Sequence, residues 1–258
     1  MPWVLRGMRN GVVTTGYPRR PDPAMTAGVH AIVRPAVGAV WDPSLADLCP
    51  TGAIGHIGDR ITVDQGACIG CGRCVEGSGG AIVWEDGPGR PSLTRAGLVV
   101  PQAPETDAAI ARVRADLARR TRALRQSVHI RHVDAGSDGA AEWEILALTN
   151  PVYDVHRLGI FFTASPRHAD LLLVTGVGTA GMTAPLARTL DALPRPVVTI
   201  AAGVDAISGG LLGPGYVRQG GTGSLIDVDI WVPGSPPSPF ALLQAILLAL
   251  DRLPKQER

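Results

Sequence analysis

Three of the four cysteines in this 258-residue chain fall within one short loop, Cys68, Cys71 and Cys74, at C-x2-C-x2-C spacing in CIGCGRCVEGSGG. The fourth, Cys49, stands directly before a proline in LCPTGAI. No other feature restricts the fold as strongly, because three thiols in so tight a loop are either strongly reactive or bound to something. A bacterial iron–sulfur loop runs on with three residues and then Cys-Pro. Here that place is taken by Ser78, followed by Gly79. The fourth ligand must come from elsewhere.

In two-cluster iron–sulfur loops the Cys of a Cys-Pro pair ligates the cluster of the other loop. Cys49 is placed to do so for the 68–74 loop. The same spacing counted back from Cys49 meets Leu45, Asp42 and Ala39, none of them a ligand for such a cluster. One complete set survives, and Cys49, Cys68, Cys71 and Cys74 are the expected ligands of a single [4Fe–4S] cluster. Gly66, Gly70 and Gly72 let the backbone pass close to the sulfurs and aim N–H groups at them. Zinc, which favours two separated ligand pairs, fits the spacing poorly. So do four buried free thiols. His56 reads as a surface turn residue.

With every cysteine assigned to the cluster, no disulfide framework is expected, which suits a reducing compartment. The near-balanced charge of +1 and the dispersed arginines give no nucleic-acid signature. Arg6 and Arg9 interrupt the start of the chain, so no signal peptide is read there. The most apolar late segment, FALLQAILLALDRL, is too short to span a bilayer and reads as a packed helix. Residues 1–35, rich in Pro, Arg and Gly, read as an extended arm ordered by partners. Residues 36–100 read as a small α+β cluster domain, with RITVD and AIVWED as strands. Residues 101–127 read as a linker helix, with Ile110, Val113, Leu117 and Leu124 on one stripe. From 128 to 258, DLLLVTG, PVVTIAAG and DVDIWVPG alternate with helical stretches such as TAGMTAPLARTLDAL. That is the pattern of a doubly wound α/β domain.

The segments YDVHRLGIFFTASPRHADLLLVTG and VDIWVPGSPPSPFALLQAIL resemble the small electron-transfer subunit shared by NADH:quinone oxidoreductase and the energy-converting (group 4) NiFe hydrogenases. VLRGMRNGVVTTGYP with the cysteine loops resembles the ferredoxin-like subunit of those hydrogenases. The chain looks like the two fused, which implies a ferredoxin-like domain followed by a flavodoxin-like one. The resemblance implies an electron-transfer and docking subunit, not an enzyme alone, carrying one cluster. Its partners would be a large hydrogenase-like subunit and membrane subunits, on the cytoplasmic face of the membrane. The alternatives are a structural subunit of a related complex that moves ions or small molecules without redox chemistry, and a stand-alone ferredoxin-type redox sensor.

The resemblance also marks a difference. Where the hydrogenase-type small subunits carry C-G-G-C-N-G-C-E, this chain has AGSDGAAE, so ligating positions fall on Asp138 and Ala141. The two further cysteines fall on Asp205 and Ser235. No second cluster is therefore expected. Asp138, Asp205 and Ser235 read as local hydrogen-bonding residues, with a hard-cation site as the sharper alternative. The expectation is a loop collapsed on Ala135 and Ala141 and closed by those three side chains. Arg167 and His168 in SPRHAD face a partner or cofactor, or tie their loop to its surroundings.

Overall fold

The computed structural model describes residues 3–22, 32–101, 107–122, 124 and 127–253, with only the backbone of 107–110. Glu105, Arg125 and the side chain of Ile110, all part of the expected linker helix, lie outside these. The chain opens with helix α1, Trp3–Asn10. Strand β1, Ile32–Pro35, then leads into the cysteine-bearing half. This half continues with α2 (Ser44–Asp47), β2 (Ile54–Ile57), β3 (Arg60–Asp64), α3 (Arg73–Gly77), β4 (Ile82–Glu85) and β5 (Val99–Val100). β1 pairs antiparallel with β4, from Ile32 opposite Glu85 to Pro35 opposite Ile82. A second antiparallel sheet has the order β2-β3-β5. A small core of Val33, Leu45, Ile54, Ile61, Val63 and Ile82 joins the two.

Two expectations for the first 35 residues need correction. Ile32–Pro35 is a strand of the cysteine-bearing half and no part of an arm. Residues 14–17 are anchored by the chain itself: Thr15 N donates to Val152 O at 2.8 Å and Thr14 Oγ1 to Pro151 O at 2.7 Å. Tyr17 is fully buried in the core of the C-terminal half, edge-on to Phe240 at 6.3 Å between ring centroids.

Helix α4, Asp107–Thr121, connects the halves. Its packed face holds Leu117 and Thr121, both buried. Arg120 is an anchor: its guanidinium pairs with the Asp229 carboxylate and donates to Val197 O at 2.9 Å.

The C-terminal half comprises β6 (Val128–Asp134), α5 (Ala140–Ala147), β7 (Ile160–Phe162), β8 (Leu171–Thr175), α6 (Ala180–Ala192), β9 (Val198–Ala202), α7 (Val204–Ser208), β10 (Ile230–Val232) and α8 (Pro239–Ala249). Its five strands are all parallel, in the order β10-β9-β8-β6-β7. Counted within this half, that is the 2-1-3-4-5 order of flavodoxin-type doubly wound sheets. β8 and β9 are buried along their whole length, as continuous Leu/Val/Ile runs covered on both faces must be. Leu171, Leu173, Val198 and Ile200 pack with α4, α5 and α8 on one face. Leu172, Val174 and Val197 pack with Leu186 of α6 on the other. Helix α8 is apolar nearly all round and nine of its eleven residues are buried. Ser238 caps it, its Oγ accepting from Ala241 N at 3.2 Å. Its own sheet buries this helix, as a packed helix requires. Among the described residues no helix is long and apolar enough to cross a membrane.

The two halves are stitched at a sheet edge. Ser92 and Trp231 exchange backbone hydrogen bonds of 2.9 and 2.8 Å alongside β10.

Candidate metal centre

Cys49 and the 68–74 loop reach one pocket from opposite sides. Cys49 follows α2, whose last turn places Cys49 N on Ala46 O at 3.1 Å. The loop leaves β3, and Cys74 lies inside α3. All four cysteines line one cavity, with Val33, Ile54 and Val63 among the apolar residues around them. Backbone N–H groups point at sulfur: Ala53 N lies 3.2 Å from Cys49 Sγ, and the Gly70 and Val75 amides favour the Cys68 and Cys74 thiolates.

Burial pushes the Cys68 thiol up to about 11, and the neighbouring Cys74, Cys49 and Cys71 add to the rise. The Cys74 thiol is raised by burial as well. Burial favours the neutral form of these two thiols, and a cationic centre held between the sulfurs would favour their thiolates. Among the described residues, no three His, Cys, Asp or Glu side chains converge as they would on a single ion. A cubane asks for something different, because each of its four thiolates binds a separate iron. An apolar pocket with four thiols from two segments and N–H groups aimed at sulfur fits such a group.

A polar clasp that sequence reading missed holds the loop. Arg95 grips Asp64 with two hydrogen bonds, at 2.8 and 2.5 Å. Asp64 Oδ1 also accepts Gly66 N at 2.8 Å, while Asp64 O accepts Cys68 N at 3.0 Å. The turn into the first loop cysteine is thus organised by Asp64, and Asp64 by Arg95. Gly66 is required here by close approach: a Cβ would lie 2.8 Å from Arg95 Nη1 and 2.8 Å from Ile207 Cγ2. Ile207 belongs to α7 of the other half, so the clasp also joins the halves. Asp-x-Gly in DQGAC was the available signal, since Asx turns favour that pair. His56 lies on β2, not in a turn, stacked on Trp41 at 4.6 Å.

The residues marked by the small-subunit resemblance also come together. Asp138, Ala141, Asp205 and Ser235 line a cavity of about 60 Å³. It is built by the loops after β6, β8, β9 and β10, at the carboxyl ends of the strands where open α/β sheets bind ligands. The first loop is closed by local bonds, as expected, but by other residues for the most part. Asp134 Oδ1 accepts Gly136 N and Ser137 N, each at 2.7 Å. Ser137 Oγ accepts Gly139 N at 3.1 Å and donates to Glu142 Oε2 at 2.7 Å. Asp138 contributes one bond, from Ala140 N at 2.9 Å. Asp205 and Ser235 are not among the side chains that close it.

Burial raises the Asp205 carboxyl above its ordinary range, with smaller contributions from Asp138 and Glu142. Beside the cavity, Glu142 takes a hydrogen bond from Thr175 and lies 3.5 Å from His132 Nε2. Burial lowers the His132 pKa, and the nearby Glu142 and Asp134 oppose the shift. Arg167 and His168 sit in the turn Pro166–His168 before β8, at the other end of the sheet from this cavity.

The family model of the NADH ubiquinone oxidoreductase 20 kDa subunit matches residues 139–249. Formate hydrogenlyase subunit 7 of Escherichia coli is 37% identical over 61% of this chain and 60% of its own length. The chain thus spans less than two thirds of that relative. A probable membrane-bound hydrogenase subunit of Pyrococcus furiosus is 37% identical over 48% of this chain and 74% of its own. An uncharacterized protein of Methanocaldococcus jannaschii is 37% identical over 48% of this chain and 82% of its own. Among solved structures, a chain of the membrane-bound sulfane sulfur reductase, an archaeal respiratory membrane complex, matches with a TM-score of 0.43. It has 29% identity and covers 51% of this chain and 74% of that one. With the family pattern running from the loop after β6 to the end of α8, and relatives matched over most of their length, this chain belongs to the family of the NADH ubiquinone oxidoreductase 20 kDa subunit.

Proposed function

We propose that this chain is an electron-transfer and docking subunit of a membrane-associated complex related to energy-converting hydrogenase and NADH:quinone oxidoreductase. It would hold one [4Fe–4S] cluster on Cys49, Cys68, Cys71 and Cys74. The observation that carries this reading is the convergence of all four cysteines on one apolar cavity in a member of this family. When bound, such a cluster accepts and releases single electrons. The chain's own part is to hold the four thiolates, to aim N–H groups at their sulfurs and to line the inner side of the site with Val33, Ile54 and Val63. The N-terminal half acts as a ferredoxin-like unit, and the α/β half as the scaffold for a large hydrogenase-like subunit and membrane subunits at the cytoplasmic face.

The α/β half takes no second cluster in this reading, because Asp138, Ala141, Asp205 and Ser235 line the cavity where its relatives' cysteines are expected. That same lining favours a second reading, in which the complex moves ions or small molecules and the single cluster is structural. Anaerobic purification tests the first proposal: about four irons and matching acid-labile sulfide per chain are expected. Cys49→Ser should lose most of that iron. Zinc without sulfide, or full iron retention in Cys49→Ser, would refute the ligand set. A cluster that dithionite cannot reduce, as read by electron paramagnetic resonance, would favour the structural reading.

A further inference from the structure

Helix α1 leaves an apolar face uncovered among the described residues. It is amphipathic, yet none of its residues is buried. Trp3 is 85% exposed, Met8 75% and Leu5 52%. At about 100° per residue, Trp3, Val4, Leu5 and Met8 fill an apolar sector roughly 200° wide, and Arg6, Arg9 and Asn10 fill the rest. The helix ends at Gly11, whose positive φ and bond to Gly7 O at 3.2 Å stop it. Val12 and Val13 follow, both exposed, before Thr14 and Thr15 fasten the chain to the α/β half. The helix therefore stands on a short leash beside a fixed anchor.

Charge indicates what covers it. The first twenty residues hold Arg6, Arg9, Arg19 and Arg20 and no acidic residue, a local charge of +4 in a chain whose total is +1. The rest of the chain is therefore net negative, at −3. A wide apolar face with tryptophan, whose only charged neighbours on the helix are arginines, is the make-up of a helix that lies in the headgroup region of a bilayer. The cations match anionic headgroups, and a surface charge of this sign supplies attraction the rest of the molecule lacks.

We propose that α1 is an interfacial helix that docks this chain directly on an anionic phospholipid surface. Trp3, Val4, Leu5 and Met8 enter the acyl boundary while Arg6 and Arg9 meet phosphate. This contact is additional to any contact through partner subunits, and it stands independently of the cluster assignment.

The test uses the full chain, sedimented with phosphatidylglycerol vesicles and, separately, with phosphatidylcholine vesicles. Binding to the first and little to the second is expected, weakening as salt is raised. Neutralising either Arg6 or Arg9 with Gln should weaken partitioning about fivefold, the equivalent of ~1 kcal/mol per cation near such a surface. Leu5→Asp with Met8→Asp should abolish it. Because no residue of α1 belongs to the buried core, these variants should melt and hold iron as the parent does, so lost binding would not reflect lost folding. Equal sedimentation with both vesicle types, or unchanged binding in the Asp variant, would overturn the proposal. So would photo-crosslinks from position 5 that reach a protein and no lipid in native membranes.

Discussion

Replacing Arg95 with alanine removes both hydrogen bonds to Asp64 and uncovers Gly66. The loss can be sized from the structure. Hydrogen bonds to charged groups contribute about 1.5–3 kcal/mol, and fully exposed ion pairs about 0–1 kcal/mol. The two side chains are 35% and 26% exposed, so solvent screens part of the interaction. About 1.5–2 kcal/mol is the resulting expectation, which at ~2–4 °C per kcal/mol for a chain of this size lowers the melting temperature by about 3–8 °C. The loss should be local. The amides of Gly66 and Cys68, bonded to Asp64 at 2.8 and 3.0 Å, should exchange faster, while those of β8 keep their protection. Asp64→Ala should cost more, because it also removes the acceptor of Gly66 N, and the double variant should cost little more than Asp64→Ala alone, because the two residues act as one unit. Differential scanning calorimetry and hydrogen exchange read both effects. A loss below ~0.5 kcal/mol, the range of an ordinary surface substitution, with unchanged exchange at Cys68, would show that the clasp does not position the loop.

Leu243→Ala, in the middle of α8 and fully buried, should cost about 2–5 kcal/mol in denaturant unfolding. Asp205→Asn should stabilise the chain near neutral pH. The folded Asp205 pKa is raised, so the folded state binds its proton more tightly, and stability is lost as pH rises from 3.8 through the raised value. The advantage of the Asn variant should vanish below pH 3.8, which paired melting curves would show; a pH-independent difference would exclude that origin. His132 works in the other direction. Its lowered pKa makes folding weaken as pH falls below 6.5, and His132→Gln should flatten that slope.

The α/β half was legible because burial on both faces writes itself into the sequence. β8, β9 and β10 fall on the three apolar runs, and α6 on the stretch between the first two. The cysteine spacing likewise brought Cys49 to the 68–74 loop across a gap that contains β2 and β3. What stayed hidden depends on partners remote in sequence. Tyr17 is a single aromatic in a Pro- and Gly-rich stretch, with no periodicity to mark it, and it is buried only because Phe240 and Val152 lie beside its segment. β1 has four residues, too few to show a period. The Arg95 clasp joins residues 31 apart through side-chain geometry. Asp138, Asp205 and Ser235 were placed in one cavity by resemblance, but which side chains close the first loop depended on rotamers that no spacing encodes.

The paired bonds between Ser92 and Trp231 have a consequence for how this protein can be taken apart. β10 is the outermost strand of its sheet, and an open edge recruits other chains. Here one residue of the cysteine-bearing half occupies that edge, a strand addition supplied within the same molecule. Cleaving the chain between residues 101 and 127 would leave a C-terminal piece with a bare edge, an uncovered Ile207 and an empty place where Tyr17 packs. Such a piece should associate with itself, and adding back the N-terminal piece should dissolve the aggregates. The two halves behave as a lock and its own key, each keeping the other out of foreign sheets.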